Sequence, residues 1–280
     1  MNQASVTHMT SKGVQQPNLS IVMPAYNEEE IVAYTVRRLV HAFENAGYRL
    51  QLIVVDNGSR DRTGEIIRQL AVEMPAVIPH RVEVNQGYGY GVTSGFPMCT
   101  ARWIGWIPAD GQVDAEDVVR LYEAIANTNG KSLAKVRRRF RMDGLLRKIV
   151  SVSYNVFAWI LWPTLGSLDL NGVPKILPRE VLEAMRVTSK QWFLDPETII
   201  KAHYMGIRVL ELNVFARIRG AGLSHVRAST CWDFFRNLLI FRFSPTIRAW
   251  RLEASNSGPL SNLEAGTAAP LSNPEVTLNR

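Results

Sequence analysis

The chain has 280 residues, of which 46% are hydrophobic and 20% charged, a balance typical of a globular protein rather than a disordered one. Two cysteines, Cys99 and Cys231, are too few for a disulfide framework and suit a reducing compartment. The net charge is +7, and the run 131–148 alone carries eight positive residues against one negative, a difference of +7. This run could contact nucleic acid, an anionic membrane surface or a phosphate-bearing substrate. The alternative is that it forms a solvated basic helix.

Short apolar runs and amphipathic stretches alternate along the first half of the chain. This alternation predicts an α/β fold with a mostly parallel sheet. The expected strands are 19–23, 50–55, 81–84 and 103–107. Four helices are expected. The first runs from an N-cap at Asn27 to about Asn45, and the second lies around 66–70. The third follows a glycine-rich turn at 85–91, and the fourth covers 113–126.

The second half of the chain predicts further helices and one strand. Asp195-Pro196 is typical of a helix start, with the aspartate as cap and the proline in the first position. The expected elements are a helix over 144–162, a loop over 169–174, a short helix over 179–185, a helix from Asp195 to about Gly206 and a strand over 208–214. The apolar run 149–168 contains too many polar residues, a proline and a glycine for a membrane span.

Four regions are expected along the chain. Residues 1–17 are predicted to be flexible, and 18–228 to form the main domain. Residues 229–252 mix Phe and Trp with Arg, which predicts amphipathic helices at a membrane interface. Residues 253–280 are rich in Ser, Asn, Gly and Pro and are expected to be a disordered tail.

Polar clusters follow three of the predicted strands, at Pro24–Glu28, Asp56–Asp61 and Pro108–Gln112. In an open α/β sheet, ligands bind beyond the carboxyl ends of the strands. Asp110 and Gln112 place two oxygen donors one residue apart, where a hard cation and a phosphate can meet. An acidic turn before a helix is the structural alternative for this stretch.

Four motifs occur in a fixed order: PAYNEE from Pro24, VVDNGSRDRT from Val54, NQGYGYG from Asn85 and ADGQ from Ala109. Together they resemble the glycosyltransferase family 2 domain of GT-A fold, over residues 19–226. Within that family, the chain is most similar to dolichol-phosphate and polyprenyl-phosphate mannosyltransferases. The resemblance implies a GT-A, Rossmann-like central sheet that is mostly parallel and flanked by helices.

The resemblance also implies which residues bind the nucleotide-sugar donor. These are Pro24, Tyr26, Glu28, Asp56, Asn85, Gly87, Asp110 and Gln112. Asp110 corresponds to the catalytic metal-binding aspartate of the D-x-D motif and Gln112 to its downstream partner, so the implied cofactor is Mg²⁺ or Mn²⁺. The first aspartate of that motif is Pro108 in this chain, which leaves one carboxylate for the metal.

Further matches imply residues for the acceptor phosphate. Arg147 and Ser151 match the pattern that holds the phosphate of the lipid acceptor, with Lys135 and Arg137 as additional candidates. Arg217 lies in a segment resembling R-x-x-G-x-S-K, with two residues inserted and a histidine in place of the lysine. The resemblance makes Asp110, Arg147 and Arg217 the catalytic residues.

The function implied is inverting transfer of a hexose, with mannose favoured, to a polyprenyl or dolichyl phosphate. GDP-mannose is the favoured donor, with a UDP-sugar as the alternative. The implied location is the cytoplasmic face of a membrane, reached by the protein's own surface or through a membrane subunit. Two other readings stay open: transfer to a sugar hydroxyl in cell-surface glycan synthesis, and a non-catalytic nucleotide-sugar-binding scaffold. Nucleic-acid binding is not expected, because aromatic residues do not interleave with the basic run beyond Phe140.

Overall fold

Strands and helices alternate along the residues that the computed structural model describes, which are 16–140, 145–167, 169–215 and 228–256. Side chains are described for these ranges except at 138–140, 145–151, 215, 228–231 and 255–256. The strands are β1 (Leu19–Ala25), β2 (Leu50–Asn57), β3 (Val77–Val82), β4 (Trp103–Trp106), β5 (Ser132–Phe140), β6 (Lys175–Pro178) and β7 (Arg208–Phe215). The helices are α1 (Val32–Asn45), α2 (Thr63–Glu73), α3 (Tyr88–Gly95), α4 (Ala115–Ala126), α5 (Leu145–Leu161), α6 (Arg179–Met185), α7 (Leu194–Tyr204), α8 (Ala228–Phe243) and α9 (Pro245–Asn256).

The strands form one sheet in the order β3-β2-β1-β4-β6-β5-β7. Strands β3, β2, β1 and β4 are parallel to one another, and β5 is parallel to β7. Only β6 runs antiparallel to both strands beside it within this sheet. The predicted α/β fold with a mostly parallel sheet is therefore confirmed, and the carboxyl ends of β1, β2 and β4 lie side by side.

The sheet separates two apolar cores. Successive residues of β1 alternate between them, because neighbouring side chains of a strand point to opposite faces. Ile21 and Met23 pack in the core with α1, α2 and α4, whereas Val22 packs in the core with α3, α5, α6, α7, α8 and α9. The buried strands carry the polar loops at their ends.

The first helix begins later than predicted. It starts at Val32, and Asn27 is not its N-cap. Asn27 instead has a φ of +53° and lies in a loop before the helix. Its side-chain oxygen accepts a hydrogen bond from the backbone N–H of Arg60, 2.9 Å away, so a contact with another loop replaces the predicted cap.

The basic run contains a strand and the beginning of a helix. Strand β5 covers 132–140, which is half of the run, and α5 begins at Leu145 within it. Strand β6 was not predicted at all. The third strand is Val77–Val82, not 81–84, and the helix predicted over 144–162 is Leu145–Leu161. The short helix over 179–185 is confirmed at both ends.

Two helices occupy the C-terminal part of the described chain. Leu238 of α8 and Trp250 of α9 are buried in the core on that side of the sheet. Among the described residues, none of the helices has the length and apolar character needed to cross a bilayer. Residues 1–15 and 257–280, which hold most of the predicted flexible N-terminus and tail, lie outside the described residues.

Candidate active site

The loop after β1 is joined to the loop after β2 by hydrogen bonds. The backbone N–H of Asn27 donates to Ser59 Oγ at 3.0 Å, and that of Glu28 donates to Thr63 Oγ1 at 2.9 Å. These bonds bring the predicted donor-binding residues Tyr26 and Glu28 beside the loop that follows Asp56. Pro24 is buried at the end of β1, in register with Val55.

Asp56 is buried at the carboxyl end of β2, with 2% of its surface exposed. Its Oδ1 accepts from the backbone N–H of Ser59 at 2.9 Å, and its Oδ2 pairs with Arg81 Nη1 at 2.7 Å. The helix α2 comes close enough that a Cβ at Gly64 would collide with the carboxylate. The strand, the loop and Arg81 therefore hold this carboxylate in one orientation.

Asn57 was not predicted as a site residue, although it directly follows Asp56. Its Nδ2 donates to the carbonyl of Gly87 at 3.1 Å. Its Oδ1 is buried, and within the described part of the chain no hydrogen bond reaches it. Burying an unpaired amide oxygen costs free energy, so Asn57 is a candidate acceptor for a donor group of the ligand. Its place beside Asp56 is the sequence signal that could have identified it.

The glycine-rich turn lies under the segment that precedes α7. Its glycines leave no room for side chains, because a Cβ at Gly87 would collide with Gln191 and one at Gly89 with the backbone of Ser189. Gly87 also has a φ of +112°, which glycine adopts without strain. The predicted donor-binding residue Asn85 closes the turn by accepting from the Gly87 N–H at 2.8 Å.

Asp110 and Gln112 lie in a tight turn beyond β4, beside the end of β1. The N–H of Ala109 donates to the carbonyl of Pro24 at 3.3 Å, which fixes this turn against the first loop. Gly111 has a φ of +66°, and the N–H of Gln112 donates to Asp110 Oδ1 at 3.2 Å. The structure thus brings the predicted metal-binding pair to the same edge of the sheet as Pro24 and Asp56.

The donor set of this turn fits a hard divalent cation that also binds phosphate oxygens. It offers one carboxylate and one amide oxygen, and Mg²⁺ is commonly bound by one or two carboxylates plus substrate phosphates. The residues that the structure describes contain no group of three or more His, Cys, Asp or Glu side chains placed to hold a metal. A cation here would therefore depend on oxygens from the ligand.

The predicted acceptor-phosphate residues are only partly described. Lys135 of β5 is fully buried, and its Nζ pairs with Glu211 Oε1 of β7 at 3.0 Å. Arg137 of β5 is partly exposed. Arg147 and Ser151 lie in α5, but their side chains are not among those described, and Arg217 lies outside the described residues. The roles of all five in binding or catalysis stay predictions.

Asp195 is not the helix cap that was predicted. Helix α7 begins one residue earlier, and Phe193 occupies the cap position. Asp195 is 4% exposed, and its Oδ1 accepts from Trp106 Nε1 at 3.0 Å and from Lys175 Nζ at 2.6 Å. The carboxylate is therefore part of a buried ion pair beneath the site.

Lys175 is a second buried polar residue beneath the site that sequence reasoning missed. Its ammonium is fully buried and donates to the carbonyls of Leu170 and Gly172, at 3.1 and 3.0 Å, in addition to Asp195. Burial lowers the pKa of Lys175 to about 8, and the carboxylate of Asp195 opposes that decrease. The sequence offers no local signal for this burial, because a lone lysine before an apolar pair is typical of the exposed beginning of a strand.

The sequence matches Glycosyl transferase family 2 over residues 20–182. It is 32% identical over 141 residues to the undecaprenyl-phosphate 4-deoxy-4-formamido-L-arabinose transferase of Pectobacterium carotovorum, covering 50% of this chain and 42% of that protein. It is 26% identical over 228 residues to the dolichol-phosphate mannosyltransferase of Pyrococcus furiosus, covering 79% of this chain and 62% of that protein. The chain thus spans less than two thirds of the length of these relatives.

The fold is also found in a solved structure of a synthase. The glucosyl-3-phosphoglycerate synthase of Mycobacterium tuberculosis, crystallised with Mn²⁺, UDP-glucose and phosphoglyceric acid, superposes with a TM-score of 0.64 at 20% identity. The superposition covers 81% of this chain and 79% of that one. At this identity the likeness concerns the fold, which is the GT-A fold that the four motifs implied. The match to the family covers more than half of the chain, and the chain belongs to glycosyl transferase family 2.

Proposed function

We propose that this chain transfers a hexose from a nucleotide sugar to a polyprenyl or dolichyl phosphate, with inversion at the anomeric carbon. GDP-mannose is the favoured donor, and a UDP-sugar is the alternative. The proposal is supported by the family and by the printed names of relatives that act on undecaprenyl phosphate and dolichol phosphate. The relatives differ in the sugar they are named for, so the donor is the part of the proposal that most needs an experiment.

The observation that carries the proposal is the meeting of three polar loops at one edge of the sheet. The loop after β1 binds the loop after β2 through Asn27 and Ser59, and the turn of Asp110 binds the end of β1 through Ala109. A carboxylate for a nucleotide, Asp56, and a carboxylate for a diphosphate-bound cation, Asp110, then lie at the ends of β2 and β4, the two strands that flank β1. This arrangement suits a nucleoside diphosphate attached to a sugar.

An anionic acceptor explains why no free carboxylate is needed as a general base. A sugar hydroxyl must lose its proton to a general base during attack. Asp195 is a candidate for that base, since it lies in α7 on the same face of the sheet as α5 and α8. Asp195, however, is buried and already accepts from Lys175 and Trp106. A phosphate monoester carries its negative charge before the reaction, so positioning and charge stabilisation are sufficient.

The proposed reaction is one displacement. A phosphate oxygen of the acceptor forms a bond to the anomeric carbon as the bond from that carbon to the donor diphosphate breaks, and the nucleoside diphosphate leaves with the electron pair. Asp110 and Gln112 would hold a divalent cation, which supplies neutralisation of the leaving diphosphate's charge. Arg137 and Arg147 would hold the acceptor phosphate, and Lys135 would add positive charge from its buried position in β5.

A membrane-facing surface would give the enzyme access to a lipid-linked acceptor. Helices α5 and α8 pack together through Tyr154 and Phe157 against Phe235. Exposed apolar side chains lie along both helices, namely Val152, Val156, Trp159, Ile160, Trp232, Leu239, Ile240 and Phe243. The exposed arginines of α8 and α9, Arg236, Arg248 and Arg251, suit anionic headgroups. We propose that this surface docks on the membrane.

A donor screen tests the proposed function. The protein is incubated with radiolabelled GDP-mannose or UDP-glucose, a polyprenyl phosphate, and Mg²⁺ or Mn²⁺, and the reaction is extracted with organic solvent. The proposal predicts label in the organic phase that requires the phosphate group, with the polyprenyl alcohol as the control acceptor. Transfer of label to a sugar hydroxyl acceptor, or equal transfer to the alcohol, would contradict it.

A further inference from the structure

A row of four residues crosses the sheet beneath the candidate site. Trp106 of β4 is in register with Lys175 of β6, Lys175 with Lys135 of β5, and Lys135 with Glu211 of β7. The two lysines are fully buried. A charged side chain is kept in an apolar interior only when it is paired, and here Glu211 pairs with Lys135 while Asp195 pairs with Lys175.

Lys175 joins two loops that enclose the site. On one side, its ammonium donates to the carbonyls of Leu170 and Gly172 in the loop that precedes β6. On the other side, it binds Asp195, which accepts from Trp106, four residues before Asp110. Because β4 and β6 are antiparallel, the end of β4 and the beginning of β6 lie at the same edge of the sheet.

The 169–172 loop is closely packed around this ion pair. Its Leu170 N–H donates to Asn155 Oδ1 of α5 at 3.1 Å, and its Gly172 N–H donates to the carbonyl of Asp169 at 3.0 Å. A Cβ at Gly172 would collide with the carbonyl of Val136 and lie 3.1 Å from Lys135 Nζ. The loop therefore touches β5, α5 and both lysines, and it carries Asp169 to the edge where Asp110 lies.

We propose that Lys175 is a positioning residue for sugar transfer, which fixes the 169–172 loop relative to the Asp110 turn through its bonds to Asp195, Leu170 and Gly172. This inference rests on the proposed function. Lys175 is buried and does not contact substrate, so it acts through the loop. An ammonium has three N–H groups for these three acceptors, whereas a neutral amine has two, so loss of the proton removes one of the bonds.

The groups that face Lys175 come from every element around it. Asp195 of α7 and Asp169 of the loop raise its pKa, whereas Lys135 of β5 and burial lower it. Tyr154 of α5 is also buried near Asp195, and burial raises the pKa of its hydroxyl. The pH at which Lys175 loses its proton therefore depends directly on the charge at Asp195.

Three variants separate positioning from general stability. Lys175→Met removes the ammonium, and Asp195→Asn keeps the size of the side chain and an oxygen for Trp106 while it removes the charge. Lys201→Met is the matched control, because Lys201 is 4% exposed in the same helix as Asp195 and pairs with Glu197 at 2.7 Å, without contact to the 169–172 loop. Hydrogen exchange of residues 169–173 and steady-state kinetics are measured on the full chain of each.

The expected exchange result needs no substrate. Exchange of residues 169–173 becomes faster in Lys175→Met and Asp195→Asn and stays at the wild-type rate in Lys201→Met. Unchanged exchange in the first two variants would overturn the inference whatever the acceptor is. If the Lys175→Met protein does not fold, the Asp195→Asn protein alone decides, because it is isosteric.

The expected kinetic result concerns kcat rather than donor affinity. Misplacement of a loop by about 1 Å can lower a rate about 100-fold, so we expect a loss of that order in kcat for Lys175→Met with the donor KM nearly unchanged. In Asp195→Asn, the high-pH decrease of kcat moves to lower pH, because the charge that raises the pKa of Lys175 is gone. A kcat per folded molecule equal to that of Lys201→Met, with no pH shift, would overturn the positioning role. A wild-type protein that transfers no sugar to polyprenyl phosphate would instead overturn the proposed function, and the exchange result would then decide on the loop.

Discussion

Tyr88 and Trp192 stack with their ring centroids 4.6 Å apart and their planes 11° from parallel. Tyr88 begins α3 within the glycine-rich stretch 85–91, and Trp192 lies just before α7. The stack is reinforced by the N–H of Tyr90, which donates to the carbonyl of Lys190 at 2.9 Å. This contact holds the predicted donor-binding turn against the second half of the chain.

Removal of the stack should weaken donor binding. Trp192→Ala loses an aromatic pair worth about 1 kcal/mol, so we expect the Kd for the nucleoside diphosphate to rise about fivefold. Trp192→Phe keeps a stacking ring and serves as the control, with a Kd near the wild-type value. Isothermal titration with GDP and UDP measures the effect. An unchanged Kd in Trp192→Ala would show that the turn does not need this support.

The charge of Asp110 should be essential for transfer. Asp110→Asn keeps the size of the side chain but removes the carboxylate proposed to hold the cation, and we expect kcat/KM to fall by about 100-fold or more. Asp114→Asn is the matched control, since Asp114 lies in the same loop and pairs with Arg38 at 3.3 Å. The measurement is transfer of labelled sugar at several Mn²⁺ concentrations. Near-normal turnover of Asp110→Asn would exclude the proposed metal role.

Stability and activity should change in opposite directions as the pH rises past the pKa of Lys175. Because burial lowers that pKa from 10.5 to about 8, the unfolded chain binds this proton more tightly than the folded chain between these values. The free energy of unfolding of the wild type, relative to Lys175→Met, should therefore increase over this window, while transfer declines. Urea denaturation and transfer assays at matched pH values between about 7 and about 10 test the pair of trends. A parallel fall of both quantities would contradict the assignment to Lys175.

The surface of α5 and α8 should control binding to lipid vesicles. Replacing the exposed Trp159 and Trp232 by glutamine removes apolar area, and each loss should weaken binding about tenfold if the ring is buried in the membrane. Val72→Gln is the control, because Val72 is 88% exposed on α2, which packs on the other face of the sheet. Co-sedimentation with anionic phospholipid vesicles at low salt measures binding. Equal binding of all variants would exclude this surface as the docking site.

Much of the fold could be predicted because its signals are local. Each apolar run at β1, β2 and β4 can be recognised from a few consecutive residues, and so can the helical periodicity of the segments between them. The predicted helix cap at Asn27 was wrong because a distant partner, the backbone of Arg60, takes its side-chain oxygen. The predicted cap at Asp195 was wrong for the same reason, since Lys175 and Trp106 occupy that carboxylate.

Site residues could be predicted where they directly follow the end of a strand. They could not be predicted where they depend on ion pairs between residues far apart in the sequence. Tyr26, Asp56 and Asp110 follow apolar runs, and the structure brings their loops together. The burial of Lys135 depends on Glu211, 76 residues further along the chain, which no local pattern reveals. Strand β5 was missed because its buried segment Leu133–Val136 contains a lysine and is followed directly by three arginines, within a run that has the composition of a solvated surface.

Strand β6 pairs with both β4 and β5, although the whole segment 141–174 lies between β5 and β6 in the sequence. That excursion contains α5 and the 169–172 loop, and its two ends are fixed by neighbouring strands of one sheet. A segment held in this way can change in length and composition while the strand register on either side is kept. The fold thus allows the side of the molecule that carries the proposed acceptor residues to vary as an insert, while the strands from β1 to β4 beneath the proposed nucleotide site keep their geometry.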